Sequence, residues 1–303
     1  MLFWLQDITK TYGKVIALQG LCAQVGPGAI GLLGPNGSGK TTLIRSLLGL
    51  ITIDSGHGQV LDMDIHTQRL DIRQAVGFVP EDECLFPAVD GIGFVAYAGE
   101  LCGMPPSDAM QRAHEVLDYV GLGEARYRRV ESYSTGMKQR LKLAAAIIHD
   151  PKLLILDEPT NGMDPAGREE ILTLSRDLAH NKGMSLLFSS HLLPDVEAVC
   201  DEVLVLSRGT LQVQGKIQEL KQAHRHVFEV RVKADQDRFA EDLVAVGCKI
   251  SPADDLLRVT LPEERSQELL WEVAAKGGRQ IRWLRPQRST LEEVFLKAVE
   301  EQG

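Results

Sequence analysis

No apolar stretch in this chain comes near the roughly 18 residues that a membrane-crossing helix needs. The longest, Leu143 to Ile148 and Leu153 to Leu156, are core-sized, so the chain is expected to span nothing. Its first residues, Met-Leu-Phe-Trp-Leu-Gln-Asp, lack a basic region followed by an apolar segment and a cleavage site, so export is not expected. Cysteine pairing is missing as well. Cys22, Cys84, Cys102, Cys200 and Cys248 are odd in number and scattered, and no spacing suits zinc or a redox motif, so reduced thiols are expected. Positive charge is in deficit: 33 Lys and Arg against 42 Asp and Glu give a net −9, so nucleic-acid binding would need a local basic patch. Repeats, low-complexity segments and heptad runs are absent too. What remains is ordinary: 303 residues, 44% hydrophobic and 25% charged, suit one large or two average folded domains.

Residues 1 to 30 read as short strands separated by turn signals, Phe3 to Ile8 and Val15 to Val25, with turns at Tyr12-Gly13 and Gly26-Pro27-Gly28. Ala29 to Leu33 is a short apolar run, then a glycine-rich loop, then a buried-helix pattern from Lys40. From about Leu85 to Asp150 the periodicity is helical, broken at Gly103-Met104-Pro105-Pro106. Alternation resumes with strand Lys152 to Leu156, helix Asp164 to His180, strand Met184 to Ser189, helix Pro194 to Cys200 and a hairpin about Arg208-Gly209. Alternating strands and helices predict a mostly parallel sheet covered on both faces. Past about Gln222 the order is strand, helix, two strands about Ala253-Asp254-Asp255, helix, strand and a final helix, which predicts a small α+β, ferredoxin-like module. The expected boundaries are 1–220, with a helical insertion at about 85–150, and 221–303.

Gly34-Pro35-Asn36-Gly37-Ser38-Gly39-Lys40-Thr41 fits G-x-x-x-x-G-K-[ST] between a predicted strand and helix. Glycines let backbone N–H groups close around phosphate oxygens, and the helix start adds partial positive charge. Lys40 supplies a point charge for β and γ phosphates, and the Thr41 hydroxyl suits Mg²⁺. Leu153-Leu-Ile-Leu-Asp157-Glu158 is the natural second half. A strand delivering Asp157 at its C-terminal end can hold the Mg²⁺ shell, and Glu158 beside it can polarise the attacking water. Alone, that segment would read as a buried strand with a solvated end.

Tyr133-Ser134-Thr135-Gly136-Met137-Lys138-Gln139-Arg140 resembles the signature segment of the ATP-binding cassette (ABC) ATPases, usually written Leu-Ser-Gly-Gly-Gln. Without that family it reads as a helix N-terminus capped by Ser134 or Thr135, itself an anion site. The resemblance covers about residues 1 to 220. It implies a P-loop ATPase core of mostly parallel sheet, an N-terminal antiparallel β subdomain and the helical insertion. It also implies ATP bound by Gly34, Pro35, Asn36, Gly37, Ser38, Gly39, Lys40, Thr41 and Thr42. Tyr12 looks like the aromatic that stacks on adenine, with a turn tyrosine packed on the core as the alternative. Asn161-Gly162-Met163-Asp164 resembles the segment that couples two sites. His191 looks like the switch histidine that contacts the γ-phosphate, so Glu158, His191 and Lys40 form the implied catalytic set. Ser134, Thr135 and Gly136 would close on the ATP of a second chain, which implies a homodimer, or a heterodimer with another cassette, on ATP binding.

Two departures stand out. Glu81, followed by Asp82 and Glu83, occupies the place where the family often has Gln, so Glu81 joins Thr41 and Asp157 as a candidate Mg²⁺ ligand with its metal role open. Thr135 and Met137 replace Gly and Gln, as in the branch whose permeases are of the ABC-2 exporter type, and the tail Ser289 to Leu296 resembles that branch's C-terminal extension. The implied function is the ATP-hydrolysing subunit of an ABC transporter, cytoplasmic and peripheral on the inner face of the cell membrane, driving a separate permease, with export the expected direction. A soluble ABC ATPase acting on ribosomes or DNA is the alternative, although those usually carry two cassettes or long coiled coils. A kinase or GTPase would lack the signature, and no Asn-Lys-x-Asp guanine reader occurs. Arg279, Arg282, Arg285 and Arg288 with Trp283 read as a solvated basic face, so no nucleic-acid partner is expected. His224-Arg225-His226 reads as linker.

Overall fold

The computed structural model describes residues 1–222, 227–253, 256–262, 265–286 and 290–300. His224-Arg225-His226, Asp254-Asp255, Arg288 and Ser289, named in the sequence analysis, lie outside them. Two compact units emerge, one of Met1–Ile217 together with the residues from Phe295, the other of Gln218–Val294.

The first unit opens with β1 (Phe3–Tyr12), β2 (Val15–Val25), β3 (Ala29–Leu33) and α1 (Lys40–Leu47). There follow β4 (Ser55–Val60), β5 (Met63–Asp64), α2 (Arg69–Ala75) and β6 (Val76–Val79). The helical insertion holds α3 (Gly91–Leu101), α4 (Pro106–Tyr119), two short 3-10 turns and α5 (Thr135–Ile147). The unit then runs through β7 (Leu153–Asp157), α6 (Pro165–Arg176), β8 (Ser185–Ser190), α7 (Leu193–Val199), β9 (Glu202–Ser207) and β10 (Thr210–Lys216) to Ile217, the first residue of α8 (Ile217–Gln222), whose other residues are grouped with the second unit.

Local chemistry accounts for these boundaries. Asp90 caps α3 by accepting from the Gly93 N–H at 2.8 Å, and α4 starts on Pro106, whose fixed φ suits a first helical position. Asp164 caps α6 in the same way, accepting from the Gly167 N–H ahead of Pro165. β3 and β7 are buried at every position, as their unbroken apolar runs require of strands covered on both faces. β1 continues four residues past the expected Ile8.

Two sheets result. An antiparallel one has the order β2-β1-β4-β5, and a six-stranded one the order β10-β9-β3-β8-β7-β6. In the latter all neighbours are parallel except the β10–β9 hairpin. Its register aligns Leu33 with Ser190 and Asp157 with Ser189. The C-terminal ends of β3, β8 and β7 therefore stand side by side, the place where open α/β sheets bind ligands.

The second unit contains β11 (Val227–Val232), α9 (Gln236–Ala245), β12 (Lys249–Ala253), β13 (Leu256–Thr260), α10 (Glu268–Lys276), β14 (Ile281–Pro286) and α11 (Thr290–Glu300), the last extending into the residues grouped with the first unit. Its antiparallel order β12-β13-β11-β14 is the ferredoxin-like arrangement of a βαββαβ chain. Phe228, Val230, Val232 and Val259 pack with Phe239, Leu243 and Leu270 from the helices in a separate core. The basic stretch is largely paired: Arg279 reaches Asp242, and Arg285 reaches Glu229, each at 2.6 Å.

Candidate ATP site

At the end of β3 the chain turns through Gly34 to Gly39 and enters α1 with no side-chain cap, leaving its first N–H groups without a side-chain acceptor. Gly39 sits at φ 107°, and a Cβ there would lie 2.5 Å from the Ala17 carbonyl, so neither backbone nor space admits another residue. Ser38 is fully buried. Lys40 folds back over the loop, and its ammonium donates to the carbonyls of Gly34 at 2.7 Å and Pro35 at 3.2 Å.

The facing wall is acidic. Thr41 Oγ1 donates to Asp157 Oδ2 at 2.9 Å. Burial pushes the Asp157 carboxyl up, the Thr41 bond opposes that, and the negative neighbours Glu158 and Glu81 add to the rise. Glu158 follows at φ 48°, a left-handed conformation rare for a side-chain-bearing residue, and its N–H donates to the Ser189 carbonyl at 3.1 Å. In that turn Glu158 Oε1 lies 3.1 Å from Lys40 Nζ, with both side chains 5% exposed. The pair is ionic in distance but off-line as a hydrogen bond, since Oε1 has no hydrogen-bond partner. The other oxygen, Oε2, lies 2.8 Å from His191 Nδ1, just beyond β8. Lys40, Glu158 and His191 thus form one continuous polar chain.

A cleft of about 260 Å³ opens beside these groups, floored by Asn36, Gly37, Gly39, Lys40, Thr41 and Thr42 and walled by Glu81 and Glu158. Glu81 Oε1 accepts from the Asn161 side chain at 3.0 Å, and the Asn161 N–H donates to the Glu158 carbonyl at 3.1 Å. Thr41, Asp157 and Glu81 are oxygen donors suited to a hard cation. Asp157 Oδ1, buried without a hydrogen-bond partner, fits a Mg²⁺ shell at this place.

Two predicted groups sit apart. Tyr12 is 47% exposed and is not among the residues lining the cleft; the Lys10 ammonium lies 5.3 Å from its ring. The apolar residues that do line it are Val15, Ile16 and Ala17. Val15 and Ile16 are 65% and 50% exposed. Two adjacent exposed branched residues on a strand next to the phosphate loop were a sequence signal, overshadowed by the aromatic. Ser134 caps α5 by accepting from the Met137 N–H at 3.3 Å. Ser134 and Thr135 are exposed, and Gly136 lies against Met163.

A phosphate loop entering a helix beside paired carboxylates on a parallel sheet defines a P-loop nucleoside triphosphate site. Residues 18–161 match the sequence family described as "ABC transporter". The ABC transporter ATP-binding protein YxlF of Bacillus subtilis is 34% identical over 97% of this chain and 98% of its own length. The bacitracin transport ATP-binding protein BcrA of Bacillus licheniformis is 35% identical over 77% of this chain and 75% of its own. Among solved structures, cbiO1 of Clostridium perfringens, part of the transporter complex cbiONQ, superposes with a TM-score of 0.65 at 27% identity, covering 72% of this chain and 89% of that one. The chain belongs to the ABC transporter ATP-binding family and is an ATP-hydrolysing subunit of a transporter.

Proposed function

We propose that this chain hydrolyses MgATP in a head-to-tail pair of cassettes and drives export through a separate ABC-2-type permease. The observation that carries the hydrolytic part is the chain Lys40, Glu158, His191 beside the phosphate loop, with Lys40 and Glu158 buried. In this reading the loop N–H groups and Lys40 hold the β and γ phosphates. Glu158 accepts the proton of the attacking water, and His191 fixes that carboxylate through Nδ1. Thr41 and Asp157 would hold Mg²⁺, with Glu81 as a third candidate ligand. The bound ion would neutralise charge developing on the phosphate oxygens. Val15 and Ile16 offer an apolar surface for the base, with Tyr12 a further candidate.

The exposed start of α5, with Ser134, Thr135 and Gly136, supports closure on a second chain's ATP. An exposed aromatic group past Glu81, Phe86 packed edge-on to Phe94 and beside Tyr97, supports docking on an apolar partner. No helix among the described residues is long and apolar enough to cross a membrane, so the translocation path belongs to a partner in this reading. The first unit is assigned the ATPase and the second an accessory role, with the assembly peripheral to the cytoplasmic face of the membrane.

The test is affinity purification of a Glu158→Gln chain, held with MgATP, from mildly solubilised membranes. A multi-span membrane protein in near-equal amount is the expected result. Recovery only from the soluble fraction, with ribosomes or nucleic acid, would keep the ATPase chemistry and remove the transport.

A further inference from the structure

Lys142 is a lysine where a lysine is costly. It lies in the third turn of α5, is 7% exposed, and is flanked by the fully apolar Leu141 and Leu143. A buried ammonium survives only if its donors are taken up. Here they are taken by backbone: Lys142 Nζ donates to the carbonyls of Pro80 at 2.7 Å and Asp82 at 3.0 Å, and stands 3.5 Å from that of Glu81. One turn earlier on the same face, Lys138 Nζ pairs with Glu83 Oε1 at 2.5 Å. Two lysines of the signature helix therefore face the run Glu81-Asp82-Glu83, and burial, which pushes the Lys142 ammonium down, is opposed by the negative charge of that run. On the opposite side Arg45 of α1 reaches only 4.0 Å from Asp82 with both exposed, too loose a contact to hold the loop.

The loop so held is the one whose Glu81 walls the ATP cleft and bonds Asn161, whose N–H reaches the Glu158 carbonyl. We propose that Lys142 is a positioning residue whose carbonyl clamp fastens the Glu81 loop to the signature helix, so that the two shift as one piece relative to the phosphate loop. The proposal rests on reading Glu81 as part of the hydrolytic site. Lys142 touches neither nucleotide nor Glu81's carboxylate, and it acts through the three carbonyls alone. Two cations face the acid run, Lys142 through backbone carbonyls and Lys138 through the Glu83 carboxylate.

The test compares the full chain with Lys142→Met, which keeps the stem and removes the donors. Limited proteolysis by a Glu-specific protease in the exposed run 81–83 is expected to speed up while β7 and α5 stay uncut. Turnover kcat is expected to fall roughly tenfold to a hundredfold, the scale of a small misplacement of a site group, with KM for ATP within about twofold. In a Glu81→Ala background the same substitution is expected to cost less than about twofold, because nothing at position 81 is left to place. Lys142→Gln, with a shorter reach and a neutral donor, should recover part of kcat and serves if the Met variant fails to fold. Unchanged cleavage at 81–83, or an equal kcat loss in the Glu81→Ala background, overturns the proposal. The proteolysis arm reads the clamp even if the chain proves not to hydrolyse ATP as proposed, so the two failures are separable.

Discussion

The first unit has two helix starts suited to an anion, and they are equipped very differently. At α1 everything is internal: Lys40, Asp157 and Glu158 are 5%, 1% and 6% exposed, Lys40 pairs with Glu158, and Thr41 holds Asp157. At α5 the turn is open, and the Ser134 hydroxyl is engaged with its own helix through Met137. Burial turns the α1 charges into a preorganised device whose parts are held before any nucleotide arrives. The α5 start has no buried ion pair of this kind, and under the proposed function its exposed end would act on the ATP of a second chain.

The largest expected effect would break the first half of that comparison. Lys40→Ala removes one partner of a buried ion pair, which typically costs about 3–5 kcal/mol because the other charge is stranded. Loss of ATP binding in equilibrium titration should accompany a lower melting temperature. If stability is unchanged, Glu158 is not relying on Lys40, and the self-completed picture of this end is wrong.

Next comes the open start. Ser134→Ala removes a cap worth about 1 kcal/mol and one contact to an incoming phosphate. Losing a hydrogen bond to a charged group is worth about 1.5–3 kcal/mol, so hydrolysis at saturating ATP should fall roughly ten- to a hundredfold. ATP affinity measured at protein concentrations too low for pairing should stay within about twofold of wild type. A weakened single-chain affinity would mean that Ser134 serves its own cleft, and the contrast between the two starts would vanish.

The same contrast explains what the sequence let one read. The α1 end is contiguous: eight residues from Gly34 to Thr41, a strand ending in Asp157-Glu158, and His191 after another strand. Parallel strands bring such ends together whatever the loops between them do, and the register of Asp157 with Ser189 does so here. The segment from Ser55 to Val79 gave no expectation, since β4 is Ser-Gly-His-Gly-Gln-Val, without alternation or β-branched bulk, and forms by pairing with β1. Lys142 carries no signal in the sequence, because its partners are carbonyls 60 to 62 residues away. Tyr12 stands out in the sequence as an aromatic able to stack on a base, whereas the apolar residues lining the cleft are the aliphatic Val15, Ile16 and Ala17, which carry no such signal. Residue type reports the chemistry available, and tertiary contact decides which copy of it is used.

The smallest effect sharpens the comparison from outside both helix starts, at the strand that carries Tyr12. Asp54 holds the end of β1 through the Thr11 N–H at 2.6 Å, the Thr11 hydroxyl at 2.5 Å and Lys10 at 2.9 Å. These bonds, the Thr11 hydroxyl's above all, lower its pKa from 3.8 to about 2. A carboxyl whose pKa is depressed on folding lends stability that is fully present above its unfolded value and fades as pH falls towards the folded one. Asp54→Asn should therefore lower the melting temperature slightly at neutral pH, and the difference from wild type should shrink between pH 4 and 2. Because the site is open to water, the effect should also shrink in high salt. The equivalent melting-temperature difference for Lys40→Ala, whose partner is buried, should be much less sensitive to salt. If both differences screen alike, burial is not what separates the phosphate-loop end from the rest of the surface.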